Sequence, residues 1–249
     1  MVEAHRAAVL ACERAGDLRR AQRYRGSAGY ACLELGDYDA AVRELREALD
    51  SSRKLGLPTL AATARQNLAL ALAHTGAVDE AREEEARAVQ EFLESGNRRM
   101  EAASRYYLGY IRMLAGDLVG AEKSTRAAVE IAAGPPLIPA IRAEGLGILA
   151  AILLAQGRAE AARTAAEEAQ RLLDEMGGID GGESMIRLAY AEALHATGDL
   201  TRATAAIQVA RERVEARAAP IADARLRSRF LEAVPENART LALARAWGA

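Results

Sequence analysis

Small and apolar side chains recur along this chain at helical spacing, and the pattern repeats at a nearly constant interval. Each unit is marked by a glycine that follows an apolar stretch: Gly16, Gly36, Gly76, Gly116, Gly157 and Gly198. Alanine stands five and twelve residues after every one of them: Ala21 and Ala28, Ala41 and Ala48, Ala81 and Ala88, Ala121 and Ala128, Ala162 and Ala169, Ala203 and Ala210. The two offsets differ by two helical turns, so both alanines lie on one helix face. The pattern therefore predicts a repeated array of closely packed helices.

The residues around each glycine predict a tight turn. Four of the six glycines are followed by aspartate, as in Gly36-Asp37-Tyr38. Glycine ends a helix in the left-handed conformation that is costly for other residues, and aspartate accepts hydrogen bonds from the first amides of the next helix. A small residue also stands seven positions before five of the glycines: Gly29, Ala69, Gly109, Ala150 and Ala191. Each unit is therefore predicted to be a helix, a turn and a second helix.

The sequence predicts thirteen helices and no strand. The predicted ranges are 2–15, 18–35, 38–55, 58–75, 78–95, 99–115, 118–133, 138–156, 159–176, 183–197, 200–217, 221–232 and 236–247. The prolines agree with these ranges, because none falls in the middle of a predicted helix, where it would break the hydrogen-bond ladder. We expect a single domain over residues 1–249, divided into an N-terminal helix (1–17), five helix pairs (18–217) and C-terminal capping helices (218–249).

The repeat resembles the tetratricopeptide repeat (TPR). The second unit carries the resemblance most fully, in Gly29, Gly36-Asp37-Tyr38, Ala41, Leu45 and Ala48. The resemblance covers residues 18–217 and implies an all-α fold, a right-handed α-solenoid of antiparallel helix pairs. The period of about 40–41 residues is longer than the usual one of about 34 residues. Segments 15–21, 29–31 and 235–241 further resemble the C-terminal helical arm of bacterial signalling ATPases and of Ser/Thr kinase–ATPase fusions.

Composition and charge exclude several classes of protein. Of the 249 residues, 51% are hydrophobic, which argues against disorder. A net charge of −2 offers no basic surface to nucleic acid, and two cysteines do not make a secreted disulfide scaffold. The most apolar stretch, residues 148–155, is far too short to span a membrane as a helix. We therefore expect a cytoplasmic protein that contacts neither membrane nor nucleic acid.

No motif predicts catalysis, a cofactor or a metal site. The glycines at 145 and 147 match the letters of a dinucleotide-binding fingerprint but fall inside a predicted helix, where close packing explains them better. The three histidines are far apart in sequence and have no metal-ligand spacing. The acidic run Glu83, Glu84 and Glu85 is expected on a solvated outer face. We expect no enzyme.

The resemblance also implies a concave groove lined by the first helix of each pair. Transferring the TPR groove positions gives Arg23, Tyr30, Gln66, Asn67, Leu70, His74, Tyr106, Tyr110, Met113, Met185, Glu192 and His195 as expected partner-binding residues. Tyr106 and Tyr110 share a helix face, and large side chains of this kind supply much of the energy at recognition surfaces. For these two tyrosines, groove and core remain equal alternatives, whereas Tyr107 and Tyr190 are expected in the core.

Two functions follow from these expectations. The first is a non-enzymatic protein–protein interaction scaffold that binds an extended peptide or a protein partner on its concave face. The alternative is a ligand-responsive sensor or regulatory arm of a larger bacterial signalling protein, a kinase, ATPase or DNA-binding regulator. Leu241 and Trp247 are expected to cap the C-terminal end of the array. The first helix lacks such a cap, so a preceding domain or a second copy is a further expected partner.

Overall fold

A computed structural model describes residues 2–249, which form thirteen α-helices and no strand. The helices are α1 (Val2–Arg14), α2 (Leu18–Glu34), α3 (Tyr38–Lys54), α4 (Pro58–His74), α5 (Val78–Glu94), α6 (Arg98–Leu114), α7 (Leu118–Ala133), α8 (Pro139–Ala155), α9 (Ala159–Met176), α10 (Glu183–Ala196), α11 (Leu200–Ala218), α12 (Ala224–Glu232) and α13 (Pro235–Trp247). Their bounds agree with the predicted ranges to within one residue, except at the start of α12. The predicted all-α helical repeat is confirmed.

Helix α12 begins three residues later than predicted because of its N-terminal cap. The carboxylate of Asp223 accepts hydrogen bonds from the backbone amides of Arg225 and Leu226, at 2.9 and 3.0 Å. Aspartate in this position stabilises a helix N-terminus by satisfying free amides. The prediction placed Asp223 inside the helix, whereas Asp223 is the N-cap residue that precedes it.

The turns between helices have the predicted geometry. After α2, the Gly36 amide donates to the carbonyl of Leu33 and the Asp37 amide to the carbonyl of Cys32, while Gly36 takes a φ of 73°. This hydrogen-bond pair is the Schellman motif, which favours glycine at the left-handed position. The same turn occurs at Gly56 and Gly96, which the repeat analysis did not identify, so all helices from α2 to α6 end in the same way.

The predicted aspartate caps form at three of four turns. The carboxylates of Asp17, Asp117 and Asp199 accept from the amide three residues further along. The fourth, Asp37, makes no such bond; its carboxylate pairs instead with Arg229 of α12. This exception marks the place where the end of the chain contacts its beginning.

Two layers of helices build the solenoid. Consecutive helices pack against each other, and the first helices of successive pairs (α2, α4, α6, α8 and α10) also contact one another in chain order. All twelve repeat alanines are buried in the contacts between helices. Gly145 and Gly147 lie within α8. A Cβ added at Gly145 would be 3.1 Å from Val129, and one added at Gly147 would be 3.0 Å from Ile186. The packing interpretation of these two glycines is confirmed.

The acidic run on α5 differs from its predicted position. Glu83 is exposed as expected, but Glu85 is fully buried and neither of its carboxylate oxygens has a hydrogen-bond partner. Glu84 forms an ion pair with Arg65, whose side chain is only 3% exposed. The expectation of a solvated face was therefore wrong for Glu84 and Glu85, because Glu84 faces Arg65 of α4 and Glu85 is enclosed by the protein. Within residues 2–249, no helix has the length and apolarity needed to cross a membrane.

Helix α13 covers the last helix pair. It packs against α10 and α11, and the indole of Trp247 stacks on the imidazole of His195 with ring centroids 4.4 Å apart. Leu243 and Ala244 are buried in the same cluster. Helix α12 packs between α11 and α13 and extends to the turn between α2 and α3.

Candidate functional site

The two ends of the solenoid meet across the face formed by the first helices of each pair. Besides the Asp37–Arg229 ion pair, Arg217 at the end of α11 lies 3.5 Å from the carboxylate of Glu34 on α2. The Tyr38 hydroxyl donates to the backbone carbonyl of Ala233, at 3.3 Å. These contacts join segments from opposite ends of the chain. They leave the concave face enclosed on one side by the C-terminal helices.

A wide groove of about 1860 Å³ lies where these ends approach. Its walls come from α1, α2, the start of α4, the end of α11, the segment leading into α12 and α12 itself. Six arginines and six carboxylates line it: Arg6, Arg19, Arg20, Arg23, Arg217, Arg225, Glu3, Asp17, Glu34, Asp37, Asp180 and Asp223. This mixture of charges suits a ligand with several polar groups more than a small apolar one.

A smaller cavity of about 120 Å³ lies deeper in the molecule and adjoins the groove. The two share Tyr30, Glu34, Arg217 and Phe230 in their walls. Of the residues predicted to bind a partner, the groove has three in its walls: Arg23, Tyr30 and Asn67. The inner cavity has six: Tyr30, Leu70, His74, Tyr106, Tyr110 and Met185. Helices α2, α4, α6 and α10 thus bring together eight of the twelve residues.

Aromatic rings form one side of the inner cavity. Tyr38 stacks on His74 with ring centroids 4.4 Å apart, and His74 lies 5.7 Å from Tyr110. Tyr106 and Tyr107 meet edge to face at 4.5 Å. Tyr106 and Tyr110 are only 2% and 5% exposed, so they are both packed into the fold and part of the cavity wall. The alternatives of groove and core are not exclusive for these two side chains.

Three carboxylates in the inner cavity were not among the predicted site residues. Glu144 of α8 accepts from the Tyr106 hydroxyl at 2.6 Å, and Glu236 of α13 accepts from the Tyr110 hydroxyl at 3.3 Å. Glu34 is the third. Burial raises the pKa of all three, that of Glu144 to about 7. Glu34 has Arg217 beside it, whereas the ionised forms of Glu144 and Glu236 would be more stable beside a compensating positive charge.

Sequence signals for these carboxylates were weak. Glu34 stands four residues after Tyr30, which places both on one face of α2 and was a usable signal. Glu144 and Glu236 join the site only through contacts between distant helices, so the local pattern held no sign of them.

Four predicted residues lie outside both cavity walls. Gln66 is buried with its Nε2 atom unpartnered, and Met113 packs against the main core. Glu192 accepts from Arg239 of α13 at 2.9 Å, and His195 is stacked on Trp247. Helix α13 therefore contacts both Glu192 and His195, although His195 remains exposed.

Comparison with known proteins identifies the fold. No family model and no curated protein matches the sequence. Among solved structures, a protein of nearly identical TPR-like repeats from Podosopora anserina is 20% identical, with a TM-score of 0.57 over 76% of this chain and 92% of that one. The apo quorum sensor NprR from B. thuringiensis is 13% identical, with a TM-score of 0.64 over 100% and 83%. The Rap conjugation gene regulator of plasmid pLS20, solved with the Phr* peptide, is 15% identical, with a TM-score of 0.58 over 97% and 73%.

At these identities the similarity concerns the fold, and the chain has a TPR-like fold. The narrower resemblance to the arms of signalling ATPases stays a prediction.

Proposed function

We propose that this chain is a peptide-binding interaction module whose ligand lies in the groove between its two ends. The observation that carries the proposal is the meeting of α2 and α3 with α11 and α12 across the concave face, which leaves a groove of about 1860 Å³. Pockets for small molecules have volumes of roughly 300–1000 Å³, so this groove suits a longer ligand. An extended peptide is narrow enough to enter the groove and long enough to fill it, whereas a folded protein domain is too wide to enter.

The chemistry of the walls supports the same ligand. An extended peptide presents backbone amides and carbonyls along its whole length, and these need hydrogen-bond partners when they are buried. Arg23 and Asn67 provide donors in the groove wall from two neighbouring helices, α2 and α4. Of the proteins with a similar fold, one was solved with a bound peptide and another is a quorum sensor.

The test is a selection of short random peptides displayed on phage against the whole chain. Binding of the selected peptides is then measured by calorimetry to the parent chain and to two variants. Thr63→Trp places an indole in the groove wall, whereas Val119→Trp adds the same group at an exposed site on α7 outside it. We expect Thr63→Trp to weaken binding by at least about tenfold and Val119→Trp to leave it unchanged. Equal binding to all three proteins, or failure to select any peptide, would contradict the proposal.

The contacts between the ends favour a second function, that of a ligand-responsive regulatory arm. A ligand in the groove would contact α2 and the segment leading into α12 together, and so would favour the state in which these ends are joined. Hydrogen–deuterium exchange of α12 should then become slower when a selected peptide is added, while α7 is unaffected. If the exchange rate in α12 did not change, the regulatory function would be contradicted and the peptide-binding function would remain.

A further inference from the structure

Two of the three carboxylates in the inner cavity have no cation in the cavity wall. The three are the carboxylates of Glu34, Glu144 and Glu236. Among the described residues of these walls, the only arginine or lysine is Arg217, which lies beside Glu34. Burial lowers the pKa of His74 to about 4, so this imidazole is neutral near neutral pH and supplies no positive charge. Glu144 and Glu236 therefore receive hydrogen bonds from tyrosines but have no cation in the cavity wall. Arg99 lies near enough to lower the pKa of Glu144 but is outside this wall.

A separate polar atom in the same wall is also without a partner. Asn237 of α13 is only 1% exposed, and its Nδ2 donates to the backbone carbonyl of Phe230 at 2.8 Å. Its Oδ1 atom accepts no hydrogen bond. A buried acceptor in this state costs free energy that a donor from a ligand would recover.

Tyrosine rings complete the surroundings. Tyr30, Tyr38, Tyr106, Tyr107 and Tyr110 all line the cavity. The face of an aromatic ring attracts a cation, most strongly where water is excluded. The cavity wall thus combines several phenol rings, the carboxylates of Glu144 and Glu236 and the unpartnered amide oxygen of Asn237, so hydrogen-bond acceptors lie on several sides. Its volume of about 120 Å³ suits a single side chain or a small organic ion.

We propose that this cavity is a subsite for an organic cation, the ammonium or guanidinium group of a basic side chain of the bound peptide. The proposal rests on the proposed peptide-binding function and adds the chemistry of one ligand position. The peptide backbone lies in the groove, and the basic side chain reaches Glu144 and Glu236 across the boundary that both spaces share, which is formed by Tyr30, Glu34, Arg217 and Phe230. The charge of Arg217 at this boundary is paired with Glu34. A free amine or guanidine of similar size is the other source of the same group.

The test compares the full-length parent chain with the variant Glu144→Gln/Glu236→Gln. The matched control is Glu232→Gln, an exposed carboxylate on α12 outside the cavity. The probes are acetylated peptide amides from the groove selection, each made with lysine, arginine, norleucine or citrulline at one position in turn. At one position, we expect lysine or arginine to bind the parent chain at least about tenfold more tightly than its neutral counterpart. The double variant should lose this preference but keep its affinity for the norleucine peptide, and Glu232→Gln should behave as the parent chain.

A second arm uses n-butylammonium and methylguanidinium chloride, with n-butanol and urea as neutral controls, followed by saturation-transfer NMR. Binding of the cations to the parent chain and not to the double variant would support the subsite even if no peptide is selected, in which case only the proposed peptide function fails. Peptides that bind in the groove with no preference for a cation at any position would overturn the subsite and leave the groove intact. A preference that persists in the double variant, or small cations that bind both proteins equally, would also overturn it. Circular dichroism spectra confirm that each variant is folded.

Discussion

Replacing Gly109 with alanine tests whether close helix packing defines this solenoid. Gly109 lies in α6, and an added Cβ would be 2.0 Å from the Thr125 hydroxyl oxygen and 3.0 Å from the backbone carbonyl oxygen of Ala121. The Thr125 hydroxyl donates to that same carbonyl at 2.9 Å in a buried hydrogen bond. The new methyl group must therefore displace Thr125 and strain or break this bond.

The expected loss follows from three contributions. Overpacking of this kind costs about 1–3 kcal/mol. Loss of a hydrogen bond costs about 1 kcal/mol. Alanine is favoured over glycine within a helix by about 1 kcal/mol, which offsets part of the loss. We expect Gly109→Ala to lower the free energy of unfolding by about 2 kcal/mol, read as a shift of the urea midpoint in far-ultraviolet circular dichroism.

Gly26 provides the matched control, because it also lies within a helix but an added Cβ there meets no atom within 4 Å. Gly26→Ala should raise stability by about 0.5–1 kcal/mol, so the same substitution has opposite signs at the two positions. Removing the clashing hydroxyl with Thr125→Ala should make Gly109→Ala much less costly than it is in the parent chain. Stabilisation by Gly109→Ala, or an equal cost with and without Thr125→Ala, would refute the packing argument.

Two further predictions concern buried charge. Burial raises the pKa of Glu85 well above its usual range, so the folded chain holds this proton to higher pH than the unfolded chain does. The contribution of this proton to folding stability is fully present below pH about 4.3, and it is lost at about 1.4 kcal/mol per pH unit as the pH rises toward the folded pKa. The variant Glu85→Gln should lack this dependence of stability on pH. Parallel stability–pH curves for the parent chain and Glu85→Gln would contradict the prediction. Arg65→Met leaves Glu84 and Glu91 without their buried partner. It should cost about 2–4 kcal/mol in urea unfolding, against less than about 0.5 kcal/mol for the exposed Arg82→Met. Equal costs for the two arginines would show that burial of Arg65 contributes nothing.

The helices could be predicted because their signals are local. The repeated glycine, the aspartate that follows it and the alanines at fixed offsets encode each turn and the packing face of the next helix within a few residues. The same reasoning explains the predicted placement of Tyr30, Leu70 and Tyr106 on the first helices of their pairs, where they line one cavity.

The closure of the groove could not be predicted in this way. It depends on pairs such as Asp37 with Arg229 and Tyr110 with Glu236, which are separated by 192 and 126 positions and follow no period. The buried Glu85 was missed for a related reason: a run of three glutamates indicates solvent unless the orientation of the helix toward its neighbour is known. Asp37 looked like another helix cap in the sequence, and only its distant partner distinguishes it from Asp17 and Asp117.

The most direct measurement is a crystal structure of the full chain with a peptide selected on the parent protein. We expect an extended peptide between α2 and the segment leading into α12, in contact with Asn67 of α4 and with a basic side chain beside Glu144 and Glu236. A peptide bound to the second helices of the pairs, or to α1 outside the groove, would contradict the proposed binding site.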